Sequence, residues 1–362
     1  MVIFTRLAVF AYKKALAEGG RFKVSDIYFE RDYGRLYEQI EQGICEVFEF
    51  EHPLGKVRHL FIKRPIPVCI NEESYFDIST PYGYGGPLIT ECQETHKCQV
   101  VQAFHDKFEV YCQKENIVCE FVRFHPLFTN AQDFQNCYEL TFRRYTTGTN
   151  LKDYENPVKS EFSKSKQKSI RKALDAGVEY RVTKNPASLE AFKQIYYSTM
   201  KRKSAAAIYY FTDAYFEELL KSFGKNILLS EVLYEGKVIA MGLNLVYDKI
   251  IHIHLSGTLE EYHRLSASFV MRYSLVEWGK EHGMDLIHEG GGVTSEIDDP
   301  LYLFKKQFGK NTEFEYYVSR KIWNRKIYCL LCKTVGVENE SDSFPAYRSL
   351  AAVREQLSIT NR

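Results

Sequence analysis

The chain has 362 residues, 45% of them hydrophobic and 26% charged, with a formal net charge of +1. This is the composition of a folded soluble protein long enough for two or three domains, and its balanced charge excludes the global positive field that drives nonspecific nucleic-acid binding, so no DNA partner is expected. No apolar run reaches the ~20 residues a membrane-spanning helix needs.

The nine cysteines stand singly, and Cys329-x-x-Cys332 has no second pair or neighbouring histidines. Free thiols in a reducing cytosol, and no metal site, are the expectation. The 26 tyrosines and 25 phenylalanines suit large sheets and clefts with wet edges, because tyrosine packs its ring while its hydroxyl finds a partner.

In chain order, MVIFTRLAVFAYKKALAEGG reads as an amphipathic helix ending at Gly19-Gly20, with no clean cleavage site, and a cytoplasmic protein is the expectation. Residues 47–68, VFEFEHPLGKVRHLFIKRPIPV, predict two strands around a Pro-Leu-Gly turn. Residues 76–90, FDISTPYGYGGPLIT, carry strand-forming ends interrupted by Pro81, Gly83, Gly85, Gly86 and Pro87, with Tyr82 and Tyr84 interleaved. Val100, Val101, Phe104, Phe108 and Tyr111 share one face of a helix that runs to Lys114. IVCEFVRFHPLF, which includes Arg123, is a short strand closing at His125-Pro126.

KSEFSKSKQKSIRKALDAG (159–177) predicts an amphipathic linker helix with Lys164, Lys168, Arg171 and Lys172 on one face and Gly177 at its end. The stripe is either a solvated face or a site for a diphosphate or RNA backbone. Residues 226–259 predict three strands joined by turns at Glu235-Gly236-Lys237 and Tyr247-Asp248-Lys249. In the last of them Ile251, Ile253 and Leu255 alternate with His252, His254 and Ser256, and the histidines are expected to pack or hydrogen-bond. EEYHRLSAS leads into a helix from about residue 268 to 282, capped by Gly283; MDLIH is a further strand and EGGG a further loop. Beyond Trp323 come a helical stretch, a polar loop and a final helix with no evident chemistry.

Strand, loop, helix and strand thus occur twice, which predicts an α+β protein of two similar units. The expected divisions are 1–155, a linker at 156–186, 187–322, and a tail at 323–362 that folds back on the first unit. Where two parallel strands part, one backbone is left to pair with an extended donor, and the following helix N-terminus faces the donor's phosphates. Here that strand is IIHIHLSGT, with Leu255, Ser256 and Gly257, and the phosphate loop is YHRLSAS, with Arg264, Ser266 and Ser268. Gly290 and Gly291 let the chain approach the donor closely.

Four stretches in order, TPYGYGGPL, SKSKQKSIRKALDAGV, HLSGT and HEGGG with LYLFKKQFG, resemble the Fem-type transferases that build peptidoglycan cross-bridges and the related BioF-like acetyltransferases. The resemblance runs from about residue 25 to 325. It implies two tandem GNAT-like units with the acceptor mainly between them, and transfer of an acyl or aminoacyl unit to an amine. Acyl-coenzyme A is the expected donor and co-substrate; aminoacyl-tRNA, used by the cross-bridge enzymes, is the alternative. The GNAT donor loop reads Arg/Gln-x-x-Gly-x-Gly/Ala, and the glycines are missing here.

For the chemistry, Lys305 flanks the face formed by Leu301, Phe304 and Phe308, while Lys306 points away, and Lys305 stands at the lysine position of the Fem-type pattern. It would hold the oxyanion or a phosphate; otherwise it is a snorkelling surface lysine. Glu289 or Asp298 would take the proton from the attacking ammonium, or else cap a loop. Tyr82, Gly83, Tyr84, Gly85 and Gly86, with Arg123, Lys168 and Arg171, would bind the acceptor, an amino sugar, peptide or nucleotide-linked sugar. From another class, a non-catalytic glycan- or peptide-binding module accounts for the same tyrosines.

Overall fold

The computed structural model describes residues 26–70, 72–339 and 343–349. The helix expected over residues 1–20 and the one expected at the C-terminus lie outside them. The described chain falls into two compact units, 144–315 and the remainder before and after it.

In the remainder, β1 (Ile44–His52) and β2 (Gly55–Pro65) form an antiparallel hairpin in register from Ile44↔Lys63 to His52↔Gly55. Strands β3 (Phe76–Ser79) and β4 (Leu88–Cys92) both pair antiparallel with β2, Ser79 opposite Ile62 and Leu88 opposite Arg58. They are two ends of one strand from which residues 80–87 loop out. Helix α1 (Lys97–Lys114) buries Val100, Val101, Phe104, Phe108 and Cys112 in a core shared with Phe61, Ile78, Ile89 and Val122. It leads to β5 (Ile117–Arg123), parallel to β3.

The chain enters the 144–315 unit within β6 (Thr141–Asn150). The sheet there runs β6-β11-β10-β9-β8-β7, where β7 is Val178–Lys184, β8 Ile227–Tyr234, β9 Lys237–Tyr247, β10 Ile250–Thr258 and β11 Leu286–Gly291. The β8–β9 turn needs two left-handed residues, and Glu235 (φ 51°) and Gly236 (φ 74°) supply them. Among its helices are α2 (Lys164–Asp175), α3 (Glu190–Arg202), α4 (Asp213–Phe223), α5 (Ala267–Glu281) and the short α6 (Pro300–Lys306).

The basic helix α2 is an integral part of this unit, set beside the expected linker at 156–186. Ile170 joins Leu275 and Val276 of α5 in one core cluster, Ala173 joins Val270 and Met271 in another, and β7 pairs with β8 along its length. Helices α3 and α5 cover opposite faces. A side chain at Gly242 would meet Met271 of α5, and one at Gly257 would meet the backbone of Ile195 and Tyr196 in α3. Ser256 lies opposite Gly242, and Gly257 opposite Met241, so neighbouring β10 residues look to different helices.

Returning to the first unit, β12 (Glu313–Ile322) pairs its Val318–Ile322 with Arg123–Cys119 of β5. Helix α7 (Arg325–Thr334) buries Ile327, Tyr328, Leu331 and Cys332 beside Val118 and Cys119. Beyond it, Tyr347 and Arg348 bond Asp77 Oδ2 at 3.1 and 2.6 Å. Among the described residues no helix is long and apolar enough to cross a membrane.

Candidate active site

Strands β10 and β11 are parallel neighbours for only three residues, Ile250–His252 against Leu286–His288. On its other side β10 stays paired with β9 as far as Thr258. From Ile253 onward, therefore, one edge of β10 has no strand beside it among the described residues. Both strands are irregular where they part. β10 shifts register against β9 between Ile253 and Leu255, and β11 shifts against β6 between His288 and Gly290. Bulges of this kind sharpen the twist and re-aim a side chain, here His254 and Glu289.

The expected donor residues line this opening in part. Leu255 and Gly257 are buried, and Ser256 is half-buried on the α5 face. The following turn brings the chain to Ser266, whose φ of 53° is the left-handed conformation that glycine takes at lower cost. Ser266 precedes α5, whose N-terminus receives no side-chain cap. Its first amide groups and dipole thus remain available to an anion. Ser268 is half-buried and gives its carbonyl to Arg272; Arg264 is exposed.

Glu289, the bulge residue of β11, is 1% exposed. Its Oε2 accepts from Arg272 Nε at 3.0 Å, while Oε1 is buried with no hydrogen-bond partner. A buried carboxylate oxygen left open is costly and needs a reason. Arg272, 6% exposed, sits over the rings of Phe304 and Phe308. Lys305 donates from Nζ to the Gly291 carbonyl at 2.8 Å. Burial lowers its pKa to about 8; Glu289 and Asp299 oppose that fall, while Arg272 and Arg144 add to it. The Lys305 ammonium, pulled down by desolvation, and the half-bonded buried carboxylate of Glu289, which opposes that fall, are the electrostatic centre of the unit.

Of the two acids weighed from the sequence, only Glu289 belongs to this centre. Asp298 is exposed on the loop. Its neighbour Asp299, 3% exposed, organises that loop, accepting from Val293 N, Thr294 N, Thr294 Oγ1 and Tyr302 N at 2.8–3.0 Å. Burial alone would raise its pKa, but these bonds outweigh it and hold the carboxyl well below the usual range. Gly290 takes a left-handed φ of 75°, and a side chain on Gly291 would strike Arg144 and the Tyr145 carbonyl, so the first serves the turn of the backbone and the second tight packing. Of the strand histidines, His254 pairs with Tyr215 Oη at 2.8 Å and is kept neutral by burial, with His252 adding repulsion, at a pKa of about 4.

The residues expected to bind the acceptor are divided between the two units. Lys168 and Arg171 are exposed on α2 in the 144–315 unit; the others are in the first unit. There β3 and β5 also part after Ser79, but the 80–87 loop fills the space. Gly85 N bonds the Arg123 carbonyl at 2.7 Å, and Asn130 Nδ2 holds the carbonyls of Gly85 and Pro87. Gly83, at φ 100°, lies against Tyr28; Tyr82 stacks on Tyr37, and Tyr84 meets Tyr28, His125 and Tyr316 edge-on. Gly86 is buried at φ 85°. Arg123 is spent on Ser79 Oγ and the Thr80 carbonyl. The tip at Tyr82–Tyr84 is half-buried and the rest of the loop is interior. Arg272 was not singled out from the sequence, although an arginine among Val270, Met271 and Leu275 on a buried helix face was the available signal.

A family model described as an acetyltransferase (GNAT) domain matches residues 160–297, the stretch holding α2, the split strands, α5 and the Glu289 loop. Over 173 residues the chain is 26% identical to UDP-N-acetylmuramoylpentapeptide-lysine N(6)-alanyltransferase of Weissella viridescens, covering 47% of this chain and 50% of that protein. It thus matches about half the length of that relative. The crystal structure of FemX superposes with a TM-score of 0.62 at 14% identity, over 88% of this chain and 96% of that one. Residues 160–297 thus match a GNAT acetyltransferase domain, and the chain as a whole has the fold of FemX. The C-terminal domain of a protein named as a lysylphosphatidylglycerol synthetase from Agrobacterium fabrum shares the fold, with a TM-score of 0.52 at 13% identity over 92% and 98% of the two chains. The α+β fold of two tandem GNAT-like units and the likeness to Fem-type transferases expected from the sequence are both borne out.

Proposed function

We propose that this Fem-like protein is an N-acyltransferase whose donor lies along the open edge of β10. The observation that carries the reading is the placement of Glu289 at the point where that edge opens, with Oε1 unbonded. An amine attacks the donor carbonyl, a C–N bond forms, and the bond to the leaving sulfur or ester oxygen breaks. The ammonium proton passes to Glu289 Oε1, directly or through one water, and from there to the leaving group or solvent. Lys305, still mostly protonated at neutral pH with a pKa of about 8, stabilises the oxyanion from its half-buried place. No covalent enzyme intermediate is needed.

Acyl-coenzyme A fits a donor strand followed by an uncapped helix N-terminus. A second donor, aminoacyl-tRNA, is favoured by two observations: the curated relative is named an alanyltransferase, and the loop after Arg264 lacks the glycines of the coenzyme A loop. The acceptor we assign is an amine on an amino sugar, a peptide or a nucleotide-linked sugar, which places the reaction in cell-wall or polysaccharide assembly.

The test is turnover with acetyl-coenzyme A, longer acyl-coenzyme A esters and alanyl-tRNA, each against a UDP-linked muramoyl peptide, a lysyl peptide and an amino sugar. Transfer from one donor, lost in Glu289→Gln with donor binding kept, is expected. Ligand binding without transfer in any pairing would instead mark a non-catalytic binding module.

A further inference from the structure

We infer that Thr199 and Arg202 are positioning residues that close the open edge of β10 at Thr258, so that Ser256 alone, between bulge and cap, pairs its main chain with the donor. The inference rests on the reading that the donor lies along β10, and it names what the edge recognises there: a single amide unit of an extended arm.

Which main-chain groups face the opening follows from the ladder on the other side of β10. Leu259 N bonds the Ile239 carbonyl at 2.9 Å, one position beyond the Thr258–Ala240 pair. In an antiparallel ladder, hydrogen-bonded pairs alternate with pairs whose N–H and C=O groups turn away. Leu259 and Gly257 therefore spend theirs on β9, while Ser256 and Thr258 turn theirs to the side that β11 has left. The bonds at Thr258 have this phase, since its N–H and its carbonyl both meet side chains of α3.

Thr199, 2% exposed, accepts at Oγ1 from Thr258 N at 2.9 Å. Its own proton is shared between the Thr258 carbonyl at 3.1 Å and the Ile195 carbonyl at 2.9 Å. Arg202 Nη1 gives the Thr258 carbonyl a full second donor at 2.8 Å, and Nη2 reaches Thr258 Oγ1 at 3.3 Å. A hydroxyl and a guanidinium thus stand where the peptide groups of a neighbouring strand would. The helix comes this close because position 257 is glycine; a Cβ there would lie 2.7 Å from the Ile195 carbonyl oxygen. An unpaired strand edge is a template for any extended chain. With Thr258 capped, what this edge has left to offer is the N–H of Ser256 for one carbonyl and its C=O for one N–H. An amide-bearing thioester arm makes that pair, whereas the ester end of an aminoacyl-RNA carries no amide.

Residue-resolved amide hydrogen exchange on the intact protein tests this in wild type, Thr199→Val and Thr199→Ser. The probes are S-acetyl-pantetheine, S-acetyl-N-acetylcysteamine with its single amide, and S-acetyl-2-mercaptoethanol with none. In the free wild type, Ser256 should exchange fast, while Gly257, Thr258 and Leu259 exchange slowly. Thr199→Val should speed Thr258 by about tenfold and leave Gly257 and Leu259 unchanged, and Thr199→Ser should restore the slow rate. Both amide-bearing probes should slow Ser256 and the amide-free one should not. In Thr199→Val the frayed edge should weaken both amide probes by roughly threefold to tenfold, with donor KM raised in proportion and kcat unchanged. Slow exchange at Ser256 in the free wild type, an unchanged Thr258 in Thr199→Val, or equal slowing of Ser256 by the amide-free probe overturns the inference. The expected free-protein pattern with no acyl donor slowing Ser256 would leave the cap standing and sink the proposed donor site.

Discussion

Replacing Lys305 with Met should make the protein more stable and less active. The native pKa of about 8, against an ordinary 10.5, means that holding the ammonium charged in its half-buried place costs roughly 3 kcal/mol at neutral pH. Methionine keeps the apolar stem and loses the charge, giving up about 1 kcal/mol for the bond to the Gly291 carbonyl. A net gain of about 2 kcal/mol in unfolding free energy follows, measured by urea denaturation at pH 7. The pH dependence has a definite sign. Between pH 8 and 10.5 the unfolded chain binds the Lys305 proton and the native protein releases it, so native stability rises with pH across that window. Below pH 8 the full penalty applies. The rise should disappear in Lys305→Met. Turnover should fall by about 10²–10³, the loss associated with one oxyanion donor. In wild type the rate should decline above pH 8, a limb that Lys305→Arg abolishes. If Lys305→Met is less stable at pH 7 and turns over normally, Lys305 is a structural ion-pair residue and the reasoning fails.

Glu289→Gln should slow turnover by about 10²–10⁴ without weakening the donor, read as a fall in kcat with KM unchanged. It should also lower the melting temperature, because Arg272 loses its counter-charge. Asp299→Ala should cost about 2 kcal/mol by removing the acceptor for four loop bonds, whereas Asp298→Ala next to it should stay within about 0.5 kcal/mol in the same denaturation series. Asp299's stabilisation is present above its unfolded pKa and should be lost as pH falls toward its native value, visible as an acid limb missing from Asp299→Ala. Gly83→Ala should destabilise by about 1–3 kcal/mol, since φ is 100° and its Cβ would lie 2.4 Å from Tyr28 Cε1; differential scanning calorimetry reads it directly.

The elements with local signals were legible. The β8–β9 turn announces itself in Glu235-Gly236, and β10 in its period-two alternation, because turn chemistry and pleat need only neighbours in sequence. Strand β6 was hidden for a physical reason. Thr147 and Thr149 are buried, their hydroxyls bonded to carbonyls of Phe308, Gly309 and Thr312, so a polar stretch is core without any apolar period. The basic stripe of α2 suggested a linker, yet Ile170 and Ala173 already marked a packed face. The Pro-Gly interruption at 80–87 pointed to an exposed binding loop; its glycines instead let the chain fold tightly over tyrosines. Glu289 and Asp298 are equivalent in sequence, and only the bulge, set by pairing with a strand 140 residues away, buries the first. Asp299-Pro300 was readable as a helix start, with Asp as cap and Pro at the first turn.

The central claim is that donor occupies the unpaired edge of β10, and amide hydrogen exchange on the intact protein tests it most directly. With the active donor, or its unreactive analogue, at saturation, amides of Ile253–Thr258 and the first turn of α5 should become protected, with the 80–87 loop unchanged. Protection confined to the 80–87 loop, or none along β10 while the ligand is demonstrably bound, would contradict the account.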